Sequence, residues 1–202
     1  MKVPVNPRRW LDVANLLVVA GALLLVRPAA DFAAGWRAQS RGLPDLAASA
    51  PTRSISNPSP SPREGDPVGR LELPRLGVDL VVFEGTSDAT LRKGPGHLSG
   101  TVRPGAPGNC VIAGHRDTFF RRLARARESD LVRLFAAGRV TTYRLEGRRV
   151  VRPEQLDVLG PTSDGRLTLV TCYPFRWIGD APYRLVWTAR PVDANAGTIA
   201  AR

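Results

Sequence analysis

Cysteine and histidine are scarce in this chain of 202 residues, which contains only Cys110, Cys172, His97 and His115 of these two types. Two cysteines are too few for the disulfide framework of a small secreted domain. Cys110 and His115 have the spacing of half a zinc site, but the other two residues would have to complete it from distant segments. We therefore expect no metal site.

Lysine is also nearly missing, since Lys2 and Lys93 are the only lysines among 29 basic residues. The formal net charge is +11, carried almost entirely by arginine. These charges are scattered along the chain rather than gathered in a stripe, and no nucleic-acid-binding motif accompanies them, so we expect no nucleic-acid partner. A surface that faces anionic lipid headgroups or an acidic envelope polymer explains the charge better.

Long hydrophobic runs are absent too, because the longest uninterrupted one covers the 11 residues 16–26. Taken alone, it is closer to the hydrophobic region of a signal peptide than to the roughly 20 residues of a transmembrane helix. The wider stretch 13–34 is nevertheless mostly apolar, and no clear cleavage site follows it. We favour an uncleaved transmembrane anchor at 13–34, with a cleaved signal peptide as the alternative.

Three basic residues, Lys2, Arg8 and Arg9, precede the apolar stretch 13–34. The only acidic residue before this stretch is Asp12, which lies directly at its edge. The positive-inside rule then places residues 1–12 in the cytoplasm and the rest of the chain outside it. We thus expect a single-pass protein of the cell membrane whose folded domain is extracytoplasmic.

Proline, serine and alanine dominate residues 35–65, and prolines alternate with other residues at 58, 60 and 62. Such a composition is typical of a semi-rigid extended spacer. The sequence therefore predicts a linker at 35–65, a folded domain at 66–192 and a C-terminal tail at 193–202.

The folded domain contains short apolar runs separated by Gly, Pro and Asp. Eight runs predict strands at 68–73, 78–83, 110–113, 131–135, 140–145, 149–151, 167–172 and 183–189. Helix is predicted only as short turns at 89–92 and 119–126. This pattern indicates an all-β barrel or sandwich.

Two predicted strands end on residues that carry chemistry. Cys172 closes the run 167–172, and His115 follows Gly114 at the end of another run. A thiol needs a partner of matched pKa to react near neutrality, so the two residues together indicate a nucleophile and its acid–base partner. Taken singly, Cys172 is explained equally well as an ordinary buried thiol, and a lone histidine at a strand end, such as His115, is more often structural.

Arg184 is the second residue of the run 183–189, which is otherwise apolar. Its guanidinium is either a surface charge or a fixed donor that stabilises an oxyanion or a thiolate. Among other candidates, His97 is the only rival base. Asp117 either orients His115 or faces solvent, and the arginines at 121, 122, 125 and 127 form either a solvated face or a contact with lipid headgroups.

Three segments together resemble the sortase family, most of all its class D members. They are Gly-His-Arg-Asp-Thr-Phe-Phe at 114–120, Thr-Leu-Val-Thr-Cys-Tyr-Pro-Phe at 168–175 and Ala-Pro-Tyr-Arg at 181–184, and the likeness covers about 68–190. Cys110 departs from the family, which usually has an apolar residue there.

The resemblance implies an eight-stranded sortase β-barrel with short helical turns, preceded here by the transmembrane helix, and no metal or organic cofactor. It implies that Cys172 attacks a Leu-Pro-x-Thr-Gly type sorting signal, that His115 is the acid and base, and that Arg184 stabilises the oxyanion with a backbone N–H near Thr171. The partners would be proteins with a C-terminal sorting signal and an amine acceptor, either a peptidoglycan precursor or a pilin lysine.

Two rival functions remain open from the sequence. A membrane-anchored cysteine peptidase would use the same residues with water as the acceptor. A membrane-tethered β-barrel binding module would not use Cys172 as a nucleophile at all.

Overall fold

The computed structural model describes residues 7–48 and 61–192, and within the N-terminal helix it describes the side chains of 14–26, 29–30 and 33–40. The described chain forms one closed barrel of eight strands after a long helix. The strands are β1 Pro67–Leu73, β2 Val78–Glu84, β3 Gly96–His97, β4 Cys110–Gly114, β5 Leu131–Ala136, β6 Arg139–Val151, β7 Leu167–Tyr173 and β8 Tyr183–Pro191. The helices are α1 Pro7–Ala48 and α2 Asp88–Leu91, with 3₁₀ turns η1 Pro74–Leu76, η2 Arg121–Arg125 and η3 Leu156–Leu159.

The barrel closes in the order β1-β2-β3-β4-β7-β8-β6-β5. Most neighbours are antiparallel, but β2 and β3 are parallel, and so are β4 and β7. The eight-stranded β-barrel predicted from the sequence is confirmed, and the predicted helical turns correspond to α2 and η2.

Two strand assignments differ from those predicted. The runs 140–145 and 149–151 are one strand, β6, because a bulge between Leu145 and Gly147 absorbs the glycine that seemed to separate them. The strand that was not predicted is β3, a two-residue element at Gly96–His97 that no apolar run indicates. Its pairing with β2 and β4 defines it as a strand.

Residues 35–48, which the sequence assigns to a linker, continue α1. Alanine, arginine and glutamine are good helix formers, and the dense prolines begin only after residue 50. Residues 1–6, 49–60 and 193–202 lie outside the described residues, so the structure does not address the proline-rich part of the linker or the tail. In the part of the chain that the structure describes, no helix is both long enough and apolar enough to cross a membrane.

The barrel interior is filled by apolar side chains that alternate along the strands. On β7, Leu167 and Leu169 are fully buried members of the core, and the same holds for Leu71 on β1 and Leu134 on β5. Because side chains alternate along a strand, the residues between them point to the outer face of the barrel. Cys172 is on the outer face by this alternation.

Candidate active site

The register of β7 and β8 places Cys172 directly opposite Arg184. Directly paired residues of antiparallel strands have side chains on the same face, with Cβ atoms about 4.5–5.5 Å apart. The cysteine and the arginine, which are twelve positions apart in the chain, are therefore cross-strand neighbours on the outer face of the barrel.

The register of β4 and β7 brings His115 to the same place. The two strands are parallel, and Gly114 is paired with Thr171. His115 follows Gly114, and Cys172 follows Thr171. The two residues therefore lie side by side at the ends of β4 and β7. The structure thus collects His115, Cys172 and Arg184 across three adjacent strands, although they come from three separate segments.

All three side chains are half-buried. A half-buried thiol at the end of a strand is accessible to a substrate while the strand fixes its direction. A histidine at the same level can exchange a proton with the sulfur itself, or with a leaving group on a carbon atom that the sulfur attacks.

Thr171 fixes the relative position of the two strand ends. Its buried hydroxyl donates a hydrogen bond of 2.7 Å to the carbonyl oxygen of Gly114, the residue before His115. The family resemblance implies a backbone N–H near Thr171 as an oxyanion donor. The hydroxyl of Thr171 makes a different contact, which ties β7 to β4 at the level of the site.

Arg184 is held by the backbone of its own turn. Its Nη1 donates to the carbonyl oxygens of Ala181 at 3.1 Å and Tyr183 at 3.0 Å. Among the described residues, the Nη2 and Nε groups of Arg184 have no protein acceptor. Nη1 is therefore anchored, while Nη2 and Nε remain available as hydrogen-bond donors.

Arg116 is a residue that the sequence reasoning missed. Its Nη2 donates to the carbonyl oxygens of Trp177 at 3.0 Å and Gly179 at 2.8 Å, in the loop between β7 and β8. It follows His115 directly, so it clamps this loop to the histidine segment. The residue lies inside the Gly-His-Arg motif, but nothing in the sequence indicates which backbone atoms it reaches.

His97, the rival base, is occupied elsewhere. It is buried on β3, its Nδ1 lies 2.8 Å from a carboxylate oxygen of Glu84, and its Nε2 lies 3.0 Å from the carbonyl oxygen of Val102. Both ring nitrogens therefore have hydrogen-bond partners within the protein, and Thr101 Oγ1 also lies 3.1 Å from Nε2. His97 therefore joins β2, β3 and the following loop, and the geometry gives it no access to Cys172.

The second cysteine is a core residue. Cys110 is buried, and burial, assisted by the charge of Glu84, raises the pKa of its thiol to about 12. It pairs with Leu167, five residues before Cys172 on the same strand, which corresponds to roughly 16 Å at the usual rise of a strand. A disulfide needs Cα atoms within about 7 Å, so Cys110 and Cys172 cannot join, and both are free thiols.

A cleft of about 880 Å³ adjoins the site on the side of α1. His115 lines it, as do Asp117 and Phe119 from the segment that follows and Trp36 from α1. Asp117 is exposed, and among the described residues no hydrogen bond joins it to His115. Among the described residues, no group of three or more His, Cys, Asp or Glu is placed to hold a metal ion.

Comparison with known proteins links this geometry to one family. The family model for the sortase domain matches residues 71–192. Sortase D of Bacillus subtilis (strain 168) is 34% identical over 126 residues, which cover 62% of this chain and 64% of that protein. The alignment therefore spans less than two thirds of this relative's own length.

Solved structures agree with the match. The catalytic domain of B. anthracis SrtD is 33% identical, with a TM-score of 0.58, and the alignment covers 70% of this chain and 97% of that one. A Clostridium perfringens sortase D5 transpeptidase has a TM-score of 0.65 and covers 80% of this chain and 99% of its own, but at 21% identity it shows the fold alone.

Proposed function

Because the chain belongs to the sortase family, whose domain model matches it over residues 71–192, we propose that it is a transpeptidase. Its substrates are proteins with a Leu-Pro-x-Thr-Gly type sorting signal, and the acyl group passes to an amine. The observation that carries this proposal is the alignment of His115, Cys172 and Arg184 at one level of three adjacent strands.

In the first half-reaction, the sulfur of Cys172 attacks the carbonyl carbon that follows the signal's threonine, and a C–S bond forms. The electron pair of the carbonyl moves to oxygen and returns when the C–N bond breaks. The protonated imidazole of His115 gives its proton to the departing amine, which leaves a thioester and a neutral histidine.

In the second half-reaction, an acceptor amine attacks the thioester carbon. Neutral His115 takes a proton from the attacking nitrogen, a new amide forms, and the C–S bond breaks to release the Cys172 thiolate. The protonation states of both residues are then those at the start. Every step uses side chains of this chain, and the chemistry requires no metal or organic cofactor.

Arg184 stabilises the oxyanion that forms in both half-reactions. Its guanidinium is anchored by Ala181 and Tyr183, so the donors that remain are already oriented before the charge develops. Preorganised donors of this kind require no reorganisation during the reaction, which is why they contribute strongly to catalysis. A backbone N–H near Thr171 is the second donor that we propose.

The acceptor is an amine of a peptidoglycan precursor or a pilin lysine, and hydrolysis by water is the competing outcome. We also propose that α1 anchors the chain in the cell membrane with the barrel outside the cytoplasm. The support is that the apolar residues 16–19 and 23–26 are 56–78% exposed on the helix surface, with no protein core to cover them. A lipid phase would remove that surface from water.

The proposal is tested by incubating the full chain in detergent with a Leu-Pro-x-Thr-Gly peptide and triglycine, followed by mass spectrometry. We expect a thioester on Cys172 and a peptide–triglycine product. Hydrolysed peptide as the only product would favour the cysteine peptidase, and absence of any adduct across a small library of signal variants would favour a binding module.

A further inference from the structure

α1 contacts the barrel through residues 35–40, about two turns before the helix ends, and we name these residues the docking segment. The side-chain amide of Gln39 joins it to β2: the N–H of Val81 donates to Gln39 Oε1 at 2.6 Å, and Gln39 Nε2 donates to the carbonyl oxygen of Val81 at 3.0 Å. Gln39 Nε2 also lies 3.1 Å from the carbonyl oxygen of Lys93.

These hydrogen bonds replace a missing neighbouring strand. The pairing of β2 with β3 begins only at Phe83, and Val81 is fully buried, so its backbone groups have neither a β3 partner nor water. Buried backbone donors and acceptors are almost always paired. A primary amide presents one acceptor and two donors, so Gln39 supplies the groups that a strand would have supplied.

Two glycines allow this close approach. A Cβ atom on Gly35 would lie 2.6 Å from the carbonyl oxygen of Arg92, closer than real Cβ contacts. A Cβ atom on Gly94 would overlap the amide of Gln39 and the ring of Phe83. Glycine inside a helix is unfavourable for the helix itself, so the benefit of Gly35 is the contact with the barrel.

The docking segment forms one wall of the cleft beside His115. Trp36 lines the cleft from the docking segment, and Asp117, Phe119 and Arg92 line it from the part of the chain that follows the helix. Neither Cys172 nor Arg184 lines the cleft. A molecule in the cleft therefore reaches the histidine from a different side than the acyl group on the cysteine.

We propose that this cleft holds the amine acceptor and that the docking segment is a working part of the active site. The inference rests on the proposed function. Trp36 and Phe119 contact the aliphatic part of the acceptor, exposed Asp117 attracts its ammonium group, and Arg92 attracts a carboxylate. The acceptor class is thus a peptide amine that also carries a free carboxylate, and Gln39 is a positioning residue that acts through the wall it holds.

The test separates the two half-reactions in the full chain. We expect Gln39→Ala to leave the rate of Cys172 acylation by a Leu-Pro-x-Thr-Gly peptide within about twofold, and to raise the KM for triglycine about tenfold, the size of effect that one lost binding contact gives. Gln39→Glu should behave similarly, because it places a carboxylate against two carbonyl oxygens. Trp36→Ala should raise the KM for triglycine without faster exchange of the Val81 amide.

Glycine substitutions provide a matched control within one helix. Gly35→Ala should reproduce the effect of Gln39→Ala, because the added methyl group meets the Arg92 carbonyl. Gly21→Ala is the control, since no atom lies within 4 Å of a Cβ added there. Triglycinamide, which lacks the carboxylate, should be a poorer acceptor than triglycine for the wild type and an equal one for Arg92→Ala.

Three results would overturn the inference. The first is an unchanged KM for triglycine in Gln39→Ala while hydrogen exchange of the Val81 amide accelerates, since the segment would then be structural only. The second is an equal loss of acylation and transfer, which would indicate damage to the barrel. The third is failure of the wild type to be acylated at all, which would remove the proposed function together with the acceptor site.

Discussion

The two thiols of this chain differ in environment far more than in sequence context. Cys110 faces the barrel core and titrates only far above neutral pH, whereas Cys172 ends a strand on the outer face beside Arg184. Reactivity of a thiol follows its exposure and its thiolate fraction. Only one of the two cysteines is therefore suited to attack a substrate.

We predict that iodoacetamide at pH 8 labels Cys172 and leaves Cys110 unlabelled in the folded chain. Cys172→Ala should abolish thioester formation, while Cys110→Ala should keep most of the activity and lower the midpoint of thermal unfolding, because it leaves a small cavity in the core. Mass spectrometry of peptide digests measures the labelling. Labelling of both thiols at equal rates in native protein would contradict the burial of Cys110.

The proposed role of Arg184 depends on the planar shape of its guanidinium group. Arg184→Lys keeps the charge but loses the planar group whose Nη1 donates to two backbone carbonyls and whose other nitrogens we propose as oxyanion donors. We expect turnover to fall by roughly 10²–10³, as for the loss of one oxyanion donor. Peptide turnover and thermal melting should be measured on one preparation. A stable variant with near-normal turnover would leave a dyad of His115 and Cys172.

The loop between β7 and β8 is an element whose position depends on one side chain. Arg116 holds the carbonyl oxygens of Trp177 and Gly179, and the loop starts two residues after Cys172. We predict that Arg116→Ala raises the KM for the signal peptide about tenfold, or about 1.4 kcal/mol, comparable to the loss of a charged hydrogen bond.

Arg176→Ala is the matched control for that variant. Arg176 lies exposed in the same loop and makes no hydrogen bond among those of the described residues. The Arg176→Ala substitution removes the same charge and the same number of side-chain atoms as Arg116→Ala, but it does not release the loop. Equal effects of the two substitutions would mean that charge, rather than loop position, determines the affinity for the signal peptide.

The connection from η2 to β5 is fixed by a second arginine. Arg75 in η1 forms a two-pronged ion pair with Asp130, and also donates to the carbonyl oxygen of Arg125 at 2.7 Å. Asp130 is buried, and the hydrogen bonds from Arg75 hold the pKa of its carboxyl below the usual value.

Because that pKa is lowered in the folded state, the pair contributes fully above the ordinary carboxyl pKa of about 3.9, and its contribution disappears as the pH falls through the lower folded-state pKa. We predict that Asp130→Asn lowers the free energy of unfolding at pH 7, and that the difference from wild type shrinks below pH 4. Urea denaturation at both pH values measures it. Glu128→Gln, at an exposed neighbouring position, is the control. A difference that stays constant with pH would exclude the ion pair as its cause.

At the scale of the whole molecule, we expect α1 to hold the barrel at the membrane. We predict that the intact chain remains with the membrane fraction until detergent is added, and that a chain starting at residue 61 is recovered without detergent. The reason is the exposed apolar surface of residues 16–26. Fractionation followed by mass spectrometry of the N-terminus measures this. Soluble protein whose N-terminus lies near residue 35 would show that the segment is a cleaved signal.

The alternation of short apolar runs with turn residues was sufficient to predict an all-β domain, and the three motifs that contain His115, Cys172 and Arg184 were sufficient to predict the family. Both signals are local, since a buried strand and its terminal residue are neighbours in the sequence. Thr171 and Arg184 were also identified from their motifs, although the contacts that hold them could not be.

Tertiary structure alone determined the register that aligns Gly114 with Thr171 and Cys172 with Arg184, because strand pairing depends on the closure of the whole barrel. It also determined that Arg116 reaches the loop before β8, that His97 is occupied by Glu84, and that Gln39 completes the edge of β2. Each of these contacts joins residues between 13 and 63 positions apart. The local sequence carries no record of such partners, because they meet only after the chain has folded.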